Sequence, residues 1–136
     1  DVWPDAQSVD PRPAQRTDDY VQDMAITSDG SIWVGSIPNS LARINSSQIS
    51  YLSSGMIDPK ITALEADASD GSLWIGHIWG GVTRLQNGNA VHYNYSVFGT
   101  SLANGTVPDI QSDTLSGQRR ILVAFSAGAI GIYSGP

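Results

Sequence analysis

The sequence SDGSIWVG at residues 28–35 returns almost unchanged as SDGSLWIG at residues 69–76. From Asp29 to Asp70 the distance is 41 positions, and each copy lies among four short runs rich in β-branched and aromatic residues. Asp-Gly between two such runs is a strong signal for a β-hairpin. A repeat of roughly 40–45 residues with four strands per unit predicts the blade of a β-propeller.

The repeat divides the chain into an N-terminal arm and three blades. Residues 1–19 contain three prolines and predict an extended arm. The unit 20–136 holds blades at about 20–54, 60–98 and 107–136, and the last blade has only three predicted strands. The predicted fold class is all-β, with propeller-type blades of four-stranded antiparallel sheets, the last incomplete; no helix is predicted, because no window keeps a 3.6-residue apolar period. The predicted strands cover residues 21–27, 32–35, 41–45, 48–53, 61–67, 73–78, 81–85, 90–95, 107–113, 121–125 and 129–133.

Two pairs of residues recur at the repeat period inside predicted strands. Trp33 and Trp74 are expected in the core or between blades rather than as ligand platforms. Gly35 and Gly76 are expected where two sheets approach closely. Both pairs are therefore interpreted as structural.

Three blades fall short of a complete propeller, which typically has about four to eight. A blade does not bury its apolar faces alone, so blades stack on neighbours. The chain is expected either to belong to a longer protein or to assemble with copies of itself. The missing fourth strand of the last blade would come from the arm, from another copy or from further sequence.

The charge distribution argues against nucleic acid and anionic membranes as partners. The net charge is −6, and the seven Lys and Arg residues are scattered rather than clustered. The adjacent pair Arg119 and Arg120 is expected at a solvated hairpin end. No stretch approaches the ~20 apolar residues needed to cross a bilayer, so membrane insertion is not expected.

Glycosylation acceptor triplets suggest the compartment. Asn45, Asn94 and Asn104 each begin an Asn-x-Ser/Thr triplet in a predicted turn or at a strand edge. The absence of cysteine excludes disulfides but does not fix the compartment. The predicted location is extracellular or at the cell surface, with any signal peptide already removed.

The second copy, followed by GGVTRL at residues 80–85 and NG at residues 87–88, resembles the two-component-regulator propeller repeat. The first copy resembles it too, although Asn39 and Ser40 replace the glycine pair. The resemblance implies a propeller fold and a place in the extracytoplasmic sensor half of a hybrid two-component regulator or in another secreted propeller. It does not specify a ligand.

The blades are also similar to those of streptogramin-lyase-like propellers, which carry a comparable Asp-Gly…Trp unit. That resemblance implies a histidine base with a carboxylate and a metal. His77 and His92 are the two histidines of this sequence, and the rest of such a site is not matched residue by residue.

A weak ligand-binding site is predicted at His77 and Trp79, near the end of a second strand and in the loop after it. In propellers such loops open onto the face where ligands usually bind, so this pair would stack on and hydrogen-bond a sugar or a small polar ligand. The alternative is a histidine packed between blades and a tryptophan at the rim, with His92 on the surface. No metal-ligand spacing, nucleophile elbow or phosphate loop is present, so no catalytic residue, metal or cofactor is predicted.

These observations lead to three hypotheses for function. The first is a non-catalytic extracellular scaffold whose partners are other copies of itself, in a ring or filament, or further propeller blades. The second is a fragment of a sensory, ligand-binding propeller. The third, a lyase-like enzyme, is disfavoured by the residues it lacks.

Overall fold

The computed structural model describes residues 20–37, 40–46, 48–52, 60–79, 81–98 and 105–135. The described chain is all-β apart from one 3-10 turn. The predicted arm at residues 1–19 lies outside the described residues. The strands are β1 (Tyr20–Ile26), β2 (Ile32–Ile37), β3 (Ser40–Asn45), β4 (Gln48–Leu52), β5 (Ile61–Ala66), β6 (Leu73–His77), β7 (Val82–Gln86), β8 (Asn89–Tyr93), β9 (Asp109–Leu115), β10 (Gln118–Phe125) and β11 (Ala129–Tyr133), and the 3-10 turn is Tyr95–Phe98.

The strands form three antiparallel sheets, each a simple meander. Blade one has the order β1-β2-β3-β4, blade two β5-β6-β7-β8, and blade three β9-β10-β11. The first strands β1, β5 and β9 lie against one another from blade to blade, so the blades stack in chain order. The all-β fold with propeller-type blades and an incomplete last blade is confirmed.

Two details of the predicted elements are wrong. The strand predicted at residues 90–95 ends at Tyr93, and the chain turns because Val97 N–H donates to the Asn94 carbonyl (3.2 Å). This 3-10 turn brings Phe98 against the core between blades two and three. The strand predicted from residue 107 begins at Asp109, since Val107 N–H donates instead to His77 of blade two.

The repeat period changes by one residue at the first turn of the blades. In blade one Thr27 N–H donates to the Ser31 carbonyl, whereas in blade two Asp67 N–H donates to the Ser72 carbonyl, one residue further along. The period is thus 40 residues before the turn and 41 after it. The pairing on both sides is unchanged, down to a bulge at the same place in β1 and β5.

The apolar core lies between the blades, in two clusters. Both predicted structural pairs are confirmed here, because Trp33 and Trp74 are buried and both glycines permit close contact. A Cβ on Gly35 would lie 2.4 Å from Ile61 Cγ2, and one on Gly76 would lie 2.6 Å from Val107 Cγ1. The cluster between blades one and two contains Trp33, Leu41, Ile61, Leu64, Leu73, Ile75 and Leu85, and the cluster between blades two and three contains Ala63, Trp74, Val82, Val107, Ile110, Ile121, Val123 and Phe125.

Candidate functional site

A carboxylate, a guanidinium and an indole form one polar cluster on blade one, on the side that faces blade two. Asp29, in the turn after β1, accepts from Thr27 Oγ1 (2.7 Å) and from Ser31 N–H (3.0 Å). Its second oxygen accepts from Arg43 (2.8 Å), whose guanidinium lies 5.4 Å from the centre of the Trp33 ring. The hydrogen bonds from Thr27 and Ser31 lower the pKa of Asp29 to about 2, so this carboxylate is ionised at neutral pH.

The same cluster recurs on blade two. Asp70 accepts from the Ser72 hydroxyl (2.6 Å) and from Arg84 (2.5 Å), and Arg84 lies 5.5 Å from the centre of the Trp74 ring. Tyr93 stacks on the indole with ring centres 5.6 Å apart. The arginine follows the aspartate by 14 positions in both blades, so the two clusters are a repeated structural unit.

Side chains of blade three complete the polar cluster of blade two. Among the described residues, no side chain of blade two pairs with Asp29 of the first cluster in the same way. Arg119 donates to Asp67, to Asp70 and to the Gly135 carbonyl, and Tyr133 packs on Trp74. Burial alone would raise the pKa of Asp67, but the hydrogen bonds from its partners outweigh it and hold that pKa below its ordinary value. The expectation that Arg119 is solvated is therefore wrong, because its guanidinium bridges two blades.

The first cluster borders an open groove of about 650 Å³ between blades one and two. Its volume lies within the usual range for small-molecule sites, roughly 300–1,000 Å³. The Asp29–Arg43 pair lies on one side, Asn87 and Gly88 of the β7–β8 turn lie on the other, and Leu73 and Leu85 are among its apolar lining residues. This groove offers donors, acceptors and apolar contact to a polar ligand.

The predicted pair His77 and Trp79 is not brought together on one accessible surface. His77 is buried (1% exposed), and its Nε2 is 2.7 Å from Thr83 Oγ1, which in turn lies 2.9 Å from Nδ1 of the exposed His92. Trp79 is 69% exposed. Of the pair, only Trp79 offers an external ligand a broad surface.

The structure describes two of the three predicted glycosylation acceptors. Asn45, at the end of β3, and Asn94, after β8, are both exposed. Asn104 lies outside the described residues. Within the parts of the chain that the structure describes, no group of three His, Cys, Asp or Glu side chains has a metal-binding arrangement, and no helix has the length and apolarity to span a membrane.

The face of blade one turned away from blade two, here called the open face, has exposed apolar side chains on its edge strand β1, whereas Val34, Ser36 and Ala42 at its centre are buried. Opposite residues in antiparallel pairs project to one side, so the register defines this face. Met24 and Ile26 are 68% and 64% exposed. The open face comprises Val21, Met24, Ile26, Ile32, Val34, Ser36, Ala42, Ile44, Ile49 and Tyr51.

Residues 15–37 match the family model described as two component regulator propeller. The match includes the first Asp-Gly…Trp-x-Gly unit, on β1 and β2. The first two strands of blade one are thus similar to a two-component-regulator propeller repeat. No curated protein shows a significant match to the chain.

The sequence analysis did not identify the arginine of the polar cluster as a functional residue. Arg43 and Arg84 lie 41 positions apart, in the third strand of each blade, so the repeat period was a signal that could have identified them. Arg119 had no such signal, because its partners lie on the neighbouring blade.

Proposed function

We propose that the chain is a non-catalytic, extracellular propeller module that acts as a structural and interaction scaffold. Its partners are other copies of itself or further propeller blades, and it associates with them through the open face of blade one. The observation that carries this proposal is the exposed apolar edge of that face, where Val21, Met24 and Ile26 of β1 are 53%, 68% and 64% exposed. Apolar patches of this kind mark interaction surfaces.

The corresponding face of blade two supports this role, because it is already covered. One apolar row across it is Ala66, Leu73, Leu85 and Ala90, by the register of β5 to β8. Leu73 and Leu85 are buried against blade one. The same side of the repeat thus packs on a preceding blade where one is present.

The test is association of the full chain, measured by sedimentation over a range of concentrations. The double variant Met24→Lys/Ile26→Lys is expected to remain monomeric where the unmodified chain associates, because it places two charges on the open face. Val91→Lys, at an exposed position on the outermost strand of blade two, is the control and should leave association unchanged. Association that survives the double variant would contradict the role of this face, and a monomeric unmodified chain would exclude other copies of itself as the partner.

The extracellular location rests on the acceptor asparagines. Asn45 and Asn94 are both exposed, so both are accessible for attachment of a glycan. Chain from its natural source should lose mass on treatment with an N-glycosidase. An unchanged mass would remove the support for this location.

A second candidate function is sensing of a small polar ligand, which the groove between blades one and two and the propeller-repeat match favour. Glucose and cellobiose are suitable probes, because their hydroxyls match the donors and acceptors of Asp29 and Arg43. Binding, measured by changes in NMR chemical shift, should be lost in the variant Arg43→Gln. The variant Arg120→Gln is the control and should keep binding, because Arg120 pairs with Asp113 on blade three. Absence of any shift in the unmodified chain would count against a sugar site.

A further inference from the structure

We infer that the groove between blades one and two binds a neutral, hydroxylated aromatic compound of the phenol class. This inference rests on the second candidate function, ligand binding in this groove, and names the chemical class of the ligand. The chain itself supplies the template, because its own side chains fill the equivalent space between blades two and three. The filling side chains are those of Tyr93, Tyr133 and Arg119.

Shorter side chains stand in the groove at the positions of the two tyrosines. Leu52 precedes Tyr93 by the 41-residue period and has the same place in the register of its sheet. Leu85 of blade two has the register position of Tyr133 in blade three. Both leucines line the groove. Each phenol of the filled interface is therefore replaced here by a side chain that ends earlier and carries no hydroxyl.

Gly71 takes the place in blade two that Arg119 has in blade three. Each lies two positions before a buried aliphatic residue of its second strand, Leu73 or Ile121. A Cβ on Gly71 would lie 3.2 Å from Ser28 Oγ of blade one, so this position faces the groove. Glycine sends no side chain into that space, whereas Arg119 crosses the filled interface.

The filled interface shows how a phenol packs against this repeat. Tyr93 stacks on Trp74 with ring centres 5.6 Å apart, and the centre of Tyr133 lies 5.3 Å from those of both rings. Burial would lower the pKa of Arg84, but hydrogen bonds with Asp70 and Tyr93 outweigh it and raise that pKa. A phenol thus has its ring beside the indole and its hydroxyl on the arginine.

The groove presents the same kinds of partner to an incoming ring. Trp33, Leu52 and Leu85 supply apolar surface. Asp29 and Arg43 pair with each other, yet their side chains remain 54% and 36% exposed. A phenol hydroxyl can therefore donate to the carboxylate and accept from the guanidinium. Hydrogen bonds to charged groups are stronger than those between neutral groups.

The charges of the groove favour a neutral ligand. In the filled interface two carboxylates, Asp67 and Asp70, receive Arg119. In blade one Thr27 replaces Asp67 in the equivalent backbone contact, and its hydroxyl donates to Asp29. Asp70 also borders the groove, but two arginines already pair with it. A cation would therefore enter without a counter-charge, and an anion would meet two carboxylates.

The test titrates the full chain with three probes and follows the NMR signals of groove residues such as Gly71 and Gly88. The probe p-cresol carries the ring and hydroxyl of tyrosine, toluene lacks the hydroxyl, and N-propylguanidine carries the head group of arginine. We expect p-cresol to shift these signals, toluene to bind about tenfold more weakly or worse, and N-propylguanidine to leave them unchanged. No shift with p-cresol, or binding of either other probe as tight as that of p-cresol, would overturn the inference.

A variant that restores the filled arrangement tests the location. Leu85→Tyr places in the groove the phenol that Tyr133 supplies in the filled interface, so binding of p-cresol should be lost. Leu115→Tyr adds the same side chain at an exposed position of blade three and should leave binding unchanged. Circular dichroism verifies folding, and Leu52→Tyr replaces Leu85→Tyr if the latter does not fold. Binding that survives in the folded, filled groove would overturn the inference.

The ligand class and the second candidate function fail separately. If glucose or cellobiose shifts the groove signals and p-cresol does not, the ligand class is wrong while the groove remains a binding site. If neither the sugars nor p-cresol shifts them, both the ligand class and the second candidate function are contradicted.

Discussion

Arg119 of blade three donates a hydrogen bond to Asp67 of blade two, so an ion pair crosses the interface between these blades. Asp67 is 4% exposed, and the same guanidinium also reaches Asp70 and the Gly135 carbonyl. One side chain thereby connects the first turn of blade two, the β9–β10 hairpin and the end of β11.

Replacing Arg119 with Gln is expected to destabilise the fold by about 3 kcal/mol, because it leaves a buried carboxylate without its cation. The free energy of unfolding from urea titration gives this value. Arg120→Gln is the neighbouring control, since the Arg120–Asp113 pair is exposed and should contribute little. Equal losses for the two variants would contradict a special role for the bridge between blades.

Stability should fall steeply in acid. Hydrogen bonds and arginines hold the pKa values of Asp67 and Asp70 below their ordinary value of 3.8, despite burial that would raise them. A lowered pKa in the folded state means that the stabilisation is complete above about pH 5 and is lost as the pH falls through the folded values. Asp67→Asn should flatten this dependence in urea titrations between pH 5 and about pH 2. If the Asp67→Asn variant kept the full dependence of the free energy of unfolding on pH, Asp67 would not be the source of that dependence.

The hydroxyl of the buried residue Thr27 is expected to contribute to the stability of blade one. It accepts from the buried indole N–H of Trp33 (3.0 Å) and donates to Asp29. Thr27→Val keeps the shape of the side chain but leaves the indole N–H of Trp33 without an acceptor, which should lower the free energy of unfolding by about 1–3 kcal/mol. Thr114→Val, at an exposed strand position, is the control and should change little.

Gly35→Ala should cost about 1–3 kcal/mol, because its new Cβ would collide with Ile61. Combining it with Ile61→Ala, which removes the colliding group, should cost less than the two single changes added together. Thermal or urea unfolding of the four chains completes this double-mutant cycle. If the free-energy costs of the two single changes were strictly additive, Gly35 would not be needed to make space for Ile61.

Local patterns in the sequence predicted the fold well. Asp-Gly, Trp-x-Gly and alternating apolar runs are short-range signals, so the hairpins of all three blades were placed within a few residues. The 3-10 turn at Tyr95–Phe98 was missed because it depends on Phe98 packing on Phe125, with ring centres 5.4 Å apart. That contact joins residues far apart in sequence.

The candidate site was less accessible to sequence reasoning. His77 was predicted to bind a ligand because it is a histidine near a loop. Its burial depends on the packing of blade two against blade one, which that prediction did not include. Among the residues that the structure describes, none fills the open groove beside Arg43 as Arg119 and Tyr133 fill the second cluster. Such differences between equivalent interfaces appear only when the sheets are stacked.

The extra residue Ala68 in the first turn of blade two has a consequence for how this repeat diversifies. A backbone hydrogen bond from the first residue to the last closes the turn at Asp67–Ser72, as it closes the shorter turn of blade one. The strands on either side of the turn keep the same pairing in both blades. This one-residue insertion therefore leaves the strand pairing of the blade unchanged. The rim formed by these turns is where new sequences, whether natural or grafted, can be presented while the blades beneath remain as they are.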